Sequence, residues 1–140
     1  MNLEIRYDLP DRIEYYNLFE STDWNNEYKA SPGLLLETLM NSWYFVTVYH
    51  NNKLVGSGRA ISDGFIHALI LDMIILPTYQ GCGIGRIILK KIVDKCLNAG
   101  INDIQLFCAQ GKKEFYKKQG FRERPADAPG MEYKKEMQDL

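Results

Sequence analysis

Hydrophobic and polar positions change period several times along the 140-residue chain, and each change marks an element. Asn2 to Tyr7 predicts a short strand, and Asp11 to Glu20 a helix. A loop is expected from Ser21 to Gly33. A second helix should begin after Ser31-Pro32, where proline suits a first turn, and run to about Asn41. Two strand-like runs follow, Trp43 to His50 and Lys53 to Ile61, with Asn51-Asn52 between them predicting a tight hairpin. After a turn at Ser62-Asp63-Gly64, the apolar run from Phe65 to Leu76 predicts a strand buried on both faces. From Gly83 to Asn98 the period becomes helical. Ile84, Ile88, Leu89, Ile92, Val93, Cys96 and Leu97 make one apolar face, with Arg86, Lys90, Lys91, Asp94, Lys95 and Asn98 away from it. Gly100 suits a helix stop. Ile104 to Cys108 predicts a strand, Lys112 to Gln119 a helix and Met131 to Glu136 a last strand. The expected architecture is α/β (α+β): a mixed, mostly antiparallel sheet flanked by helices, with one parallel β-α-β crossover.

Composition narrows the class. An apolar fraction of 46% with 25% charged residues suits a globular domain, and residues 1–140 are read as one domain. A formal net charge of −1 and the lack of like-charge blocks argue against nucleic-acid and membrane partners. The longest apolar stretch, Ala68 to Leu76, is too short to span a bilayer. Met1 to Arg6 lacks the basic-then-apolar order of a signal peptide, so a cytoplasmic location is expected. Cys82, Cys96 and Cys108 have no CxxC spacing, and His50 and His67 are too few for a histidine cluster. Reduced thiols and no metal are expected.

The sharpest feature lies at Ile74-Ile75-Leu76-Pro77-Thr78-Tyr79-Gln80-Gly81-Cys82-Gly83-Ile84-Gly85-Arg86. A buried strand ends, Pro77 breaks it, and a glycine-rich turn opens directly onto a helix. The N–H groups and dipole at a helix start bind phosphate without basic side chains. Glycines at 81, 83 and 85 let the backbone close around an anion. The turn lacks the lysine of a P-loop, and Arg86 stands where the dinucleotide fingerprint needs a third glycine.

Gln80-x-x-Gly83-x-Gly85 instead resembles the Q/R-x-x-G-x-G/A element of the GNAT N-acetyltransferase superfamily. Two further segments are similar to that family: Leu54-Val55-Gly56 before the motif strand, and Phe115-Tyr116 with Gly120-Phe121 after it. The likeness covers roughly Trp43 to Tyr133. Ser62-Asp63-Gly64 and the tail from Arg124 to Met131 resemble a small bacterial subgroup, some of whose relatives are arylalkylamine- or serotonin-acetyltransferase-like. The resemblance implies acetyl transfer from acetyl-coenzyme A to a primary amine, by direct attack in a ternary complex. It also implies a GNAT fold, and it is compatible with a homodimer.

By the same resemblance, Gln80, Gly81, Cys82, Gly83, Ile84, Gly85 and Arg86 hold the pyrophosphate. Met73, Ile74 and Ile75 pair with the pantetheine arm like an added strand, one N–H stabilising the developing oxyanion. Tyr116 matches the family's general acid, since a phenol stays protonated at neutral pH; the bland alternative is a packing aromatic. Asp72 interrupts an apolar run and is either a general base or a structurally hydrogen-bonded acid. Many relatives have an asparagine seven residues before the tyrosine and some a glutamate twelve before it. Here those positions are Ala109 and Ile104, which leaves a water relay open. Trp24, Tyr28, Trp43 and Tyr44 are candidates for an acceptor pocket, or for core, with Glu37 or Asp63 attracting a cationic small-molecule or peptide amine. Two other functions remain: a non-catalytic coenzyme A sensor, or an acyltransferase using a longer acyl group.

Overall fold

Strand order follows chain order in the computed structural model, which describes residues 1–135. Among these lie β1 (Leu3–Arg6), β2 (Tyr44–His50), β3 (Lys53–Ser62), β4 (His67–Ile75) and β5 (Asp103–Leu106). β1 to β4 pair antiparallel, while β4 and β5 pair parallel. The helix α4 (Ile84–Asn98) makes the parallel crossover, and the expected mixed sheet is found. Before it come α1 (Arg12–Glu20), α2 (Asn25–Tyr28) and α3 (Pro32–Met40); α5 (Lys113–Lys118) follows β5. The residues group into two compact units, Met1–Leu106 and a second from Phe107 on.

The ends of these elements follow from local chemistry. The Asp11 carboxylate accepts from the N–H groups of Ile13 and Glu14 and starts α1. The Ser31 hydroxyl accepts from Leu34 N–H and starts α3, with Pro32 in its first turn. Asn51 and Asn52 both take left-handed backbone, φ +51° and +63°, as a two-residue hairpin turn requires. At the far end of α4, Gly100 has φ +81°. There Ile101 N–H reaches the Cys96 carbonyl and Gly100 N–H the Leu97 carbonyl, which closes the helix. α2 was not expected within the loop from Ser21 to Gly33. The buried Asn25 organises that loop, its amide donating to Glu20 and to the Ala30 carbonyl while its oxygen accepts from Ala30 N–H.

The two sheet faces are covered differently. Tyr15, Leu18 and Phe19 of α1 and Leu35 and Leu39 of α3 pack with Tyr49, Leu54 and Ile74 of the sheet. On the other face α4 buries Ile84, Ile88, Leu89, Ile92 and Cys96. Each large aliphatic there contributes about 1.5–3 kcal/mol. Leu97, placed on the apolar face by its spacing, is 52% exposed because it sits at that face's margin in the last turn.

α4 comes so close because β3 carries Gly56 and Gly58 beneath it. A Cβ on Gly58 would stand 2.7 Å from Ile88 Cγ2 and 2.5 Å from Met73 Sδ. Met73 can swing aside, but Ile88 is fully buried. Gly58→Ala is therefore expected to cost about 1–3 kcal/mol through overpacking. Urea unfolding checks it; an unchanged midpoint would show that α4 is free to shift outward.

Three expectations give way. The strand expected to begin at Phe65 begins at His67, and Phe65 and Ile66 are exposed. Asp63 is the reason: its carboxylate accepts from the N–H groups of Phe65, Ile66 and His67 and coils this stretch into a turn. β4 is not uniformly buried on both faces either, since several of its residues are only half-buried. Of the final strand expected at Met131 to Glu136, Met131 to Lys135 form no strand, and Glu136 lies outside the described residues.

Candidate functional site

The site begins where β4 loses its neighbour. β5 pairs only with His67 to Ile70, so from Leu71 onward no strand of the described sheet lies along that edge. A β-bulge falls at the same level. Ser57 pairs with Ile74 and Arg59 with Leu71, so two residues of β4, Asp72 and Met73, oppose Gly58 alone. Asp72 takes φ +53°, costly for a residue with a side chain. A bulge increases local twist and bends its strand, which suits an edge diverging from β5.

Beyond the bulge, Leu76 N–H donates to the Val55 carbonyl across β3. The peptide of Ile75 faces the open side, where its carbonyl accepts from the Gln80 side-chain amide at 3.2 Å. Ile74 is buried in the α1–α3 core, and Ile75 packs toward Gly56, so these side chains anchor the strand. What Met73 to Ile75 can offer a ligand is backbone.

The chain next makes a 3-10 turn at Pro77–Tyr79, then the glycine turn. Gly81 and Gly83 have φ +80° and +84°, and nothing lies within 4 Å of a Cβ at either position. Glycine is required there by backbone conformation and not by space. Gly83 is the N-cap of α4; no side chain caps that end, and no acidic residue stands in its first turn. Orphan N–H groups and the positive dipole end therefore face an open turn. Ile84 is buried under the sheet and lends only backbone, while Arg86 and Cys82 are exposed. Gln80 is exposed too, and its side-chain amide is the one that donates to the Ile75 carbonyl.

Asp72 is not an isolated carboxylate. Its Oδ2 lies 2.8 Å from Arg59 Nε, both side chains are mostly buried, and Arg59 also reaches Ser42 Oγ at 3.4 Å. Of the two roles open to it, the structure displays the hydrogen-bonded acid. Tyr15, fully buried, lies close enough for the Asp72 charge to add to burial in pushing its phenol well above the usual range. Arg59→Met would leave Asp72 unpaired, at an expected cost of about 1–3 kcal/mol in urea unfolding. A smaller loss would show that water reaches the carboxylate freely.

The aromatic candidates fall into two groups. Trp24 and Tyr28 pack around Phe19, with centroids 6.0 and 6.4 Å away. Trp43 and Tyr44 contact each other at 6.3 Å, and Tyr44 also meets Tyr7. Glu37 is exposed beside Asn41. Asp63 is committed to its turn, and the three N–H groups hold its carboxyl below the usual range. His67 pairs with Asp103 across β4 and β5.

Tyr116 belongs to the second unit, on α5, and is buried there. Phe115 and Phe121 meet its ring edge-on, with centroids 5.0 and 6.0 Å away. Burial, with Cys108 adding, pushes its phenol up to about 12. It is thus a protonated donor at any ordinary pH. One site feature escaped sequence reasoning: His50 Nδ1 lies 2.8 Å from the Tyr79 hydroxyl. Nothing in the spacing of a strand-end histidine signals that contact. Among the described residues, no group of three or more His, Cys, Asp or Glu side chains could hold a metal. None of their helices is long and apolar enough to cross a membrane.

Comparison with known proteins points one way. Residues 9–121 match the family model described as the acetyltransferase (GNAT) family. Over 81 residues the chain is 40% identical to an uncharacterised N-acetyltransferase of Pyropia yezoensis, covering 58% of this chain and 47% of that one. Over 79 residues it is 38% identical to the chloroplastic GCN5-related N-acetyltransferase 2 of Arabidopsis thaliana, covering 56% of this chain and 31% of that one. The matches thus span half or less of these curated relatives. A probable acetyltransferase of unknown function from meticillin-resistant Staphylococcus aureus superposes with TM-score 0.79 at 27% identity, covering 95% of this chain and 99% of that one. The PaiA N-acetyltransferase of Thermoplasma acidophilum, solved with coenzyme A, shares the fold with TM-score 0.72 at 20% identity, covering 89% of this chain and 92% of that one.

Proposed function

Because the chain belongs to the acetyltransferase (GNAT) family, we propose that it moves an acetyl group from acetyl-coenzyme A to a primary amine. The observation that carries this is the left-handed Gly81–Gly83 turn, opening onto the uncapped start of α4 at the end of a strand with a free edge. Such a turn suits a pyrophosphate, and an unpaired edge suits the amide-bearing pantetheine arm. The residues present fit the co-substrate, which supplies an activated thioester when bound.

The roles divide as follows. Backbone N–H groups from Gly81 to Arg86 hold the pyrophosphate. The open edge of β4 from Met73 to Ile75 aligns the pantetheine arm, and one N–H there offsets negative charge growing on the acyl oxygen. Tyr116 donates its phenolic proton to the departing thiolate. The amine must arrive without its proton; with Asp72 held by Arg59 and Ala109 and Ile104 in place of polar residues, water serves best as the acceptor. Holding two reactants in one geometry supplies much of the acceleration. The expected acceptor is a small-molecule or peptide amine, and the expected location cytoplasmic.

A thiol-release screen of mixed amines with acetyl-coenzyme A tests the proposal. Release that depends on an added amine supports it. Coenzyme A binding without release would leave a sensor, and faster release from longer acyl donors a different acyltransferase. Failure to bind coenzyme A at all would overturn the whole proposal.

A further inference from the structure

We infer that His50 and Tyr79 form a clasp that holds the Gln80–Gly85 turn in its anion-binding shape before any ligand arrives. His50 Nδ1 and the Tyr79 hydroxyl are 2.8 Å apart, one donating to the other, and the rings meet edge-on with centroids 5.5 Å apart. The two residues are 29 positions apart in sequence, His50 on β2 and Tyr79 on the turn that follows β4. His50 ends β2, fixed there by the left-handed Asn51-Asn52 turn and by pairing with Leu3 and Lys53. Tyr79 ends the 3-10 turn that leaves β4, immediately before Gln80.

The turn needs such a fixture. Gly81 and Gly83 adopt conformations that only glycine takes readily, and glycine is the residue least able to hold one conformation by itself. Ordering two glycines on binding would subtract from ligand affinity. At the start of the segment, Leu76 N–H ties the chain to Val55, and Tyr79 N–H returns to the Leu76 carbonyl at 2.8 Å. The Gln80 amide bonds to Ile75 on the open side. These contacts all lie close to β4. The His50–Tyr79 contact stretches past β3 to β2, and so fixes the direction in which the turn leaves the sheet. Both side chains are half-buried, and neither has a part in the proposed proton transfers. They are positioning residues. This inference rests on the turn being the coenzyme A pyrophosphate site.

Two measurements on the full chain test it. The first is calorimetric titration with coenzyme A of wild type, Tyr79→Phe, His50→Phe and the double variant. Each single change is expected to weaken binding roughly fivefold, as one lost hydrogen bond does. The double variant should lose no more than either single one, because both remove the same bond. His50→Gln, which can still accept from the hydroxyl, should recover most of the affinity. The second measurement is amide hydrogen exchange of Gly81 to Ile84 in the ligand-free protein, expected to quicken in both single variants while the β3 amides hold. Additive losses, or wild-type affinity in Tyr79→Phe, would overturn the clasp. So would unchanged exchange in the turn, even if wild type itself failed to bind coenzyme A, an outcome that would separately remove the pyrophosphate assignment.

Discussion

Tyr116→Phe is expected to lower turnover by roughly a hundredfold or more while coenzyme A binding stays within about twofold of wild type. The change removes one oxygen from a ring that Phe115 and Phe121 already pack edge-on, so the aromatic contact survives and only the hydroxyl is lost. A thiolate leaving without a proton is the poorer outcome, and solvent replaces a positioned acid only in part. The pH profile gives a second check. The folded phenol titrates near 12, above its ordinary value of about 10. Since the folded value is the raised one, the neutral form and the stability linked to it are intact below about pH 10 and fade as pH climbs toward 12. Wild-type turnover should therefore show no alkaline fall from Tyr116 below about pH 10. Undiminished turnover in Tyr116→Phe would reduce this tyrosine to a packing residue and leave the thiolate to solvent.

Much of this arrangement could be read from residue types. Asp11 and Ser31 announce helix starts, Asn51-Asn52 a hairpin, and Gly100 a helix stop, because each solves a backbone problem within a few residues of itself. The glycine turn was legible for the same reason: its spacing excludes two phosphate-binding motifs and fits a third. What escaped depends on partners distant in sequence. The bulge at Asp72 could not be placed, since Ala68 to Leu76 is apolar at nearly every position and a slip of one residue leaves no break in alternation. Asp72 was therefore left open between a general base and a hydrogen-bonded acid, because its partner Arg59 lies thirteen positions away. α2 hangs on the single side chain of Asn25. Phe65 and Ile66 look like strand, yet Asp63 takes their N–H groups and turns them outward. At Asn25 and Asp63 side-chain hydrogen bonds set the local backbone, and such bonds have no period to detect.

Gly83→Val should abolish most coenzyme A binding, a loss of at least roughly tenfold, while the sheet remains folded. Space is not the reason, since nothing stands within 4 Å of a Cβ at this position. The reason is φ +84°, a conformation that a β-branched residue adopts only at a cost of about 1–3 kcal/mol. The cheapest relief is to rotate the peptides on either side, which swings the N–H groups at the start of α4 away from the turn. Hydrogen bonds from those groups to a charged phosphate are worth about 1.5–3 kcal/mol each, so losing even one exceeds a tenfold change. Gly33→Ala provides the contrast. That glycine sits in the first turn of α3 with ordinary φ and open space, and alanine there should be neutral or stabilise by about 0.5–1 kcal/mol. Calorimetry with coenzyme A, alongside thermal unfolding, separates the two effects. A folded Gly83→Val protein that bound coenzyme A like wild type would mean that the pyrophosphate is held elsewhere.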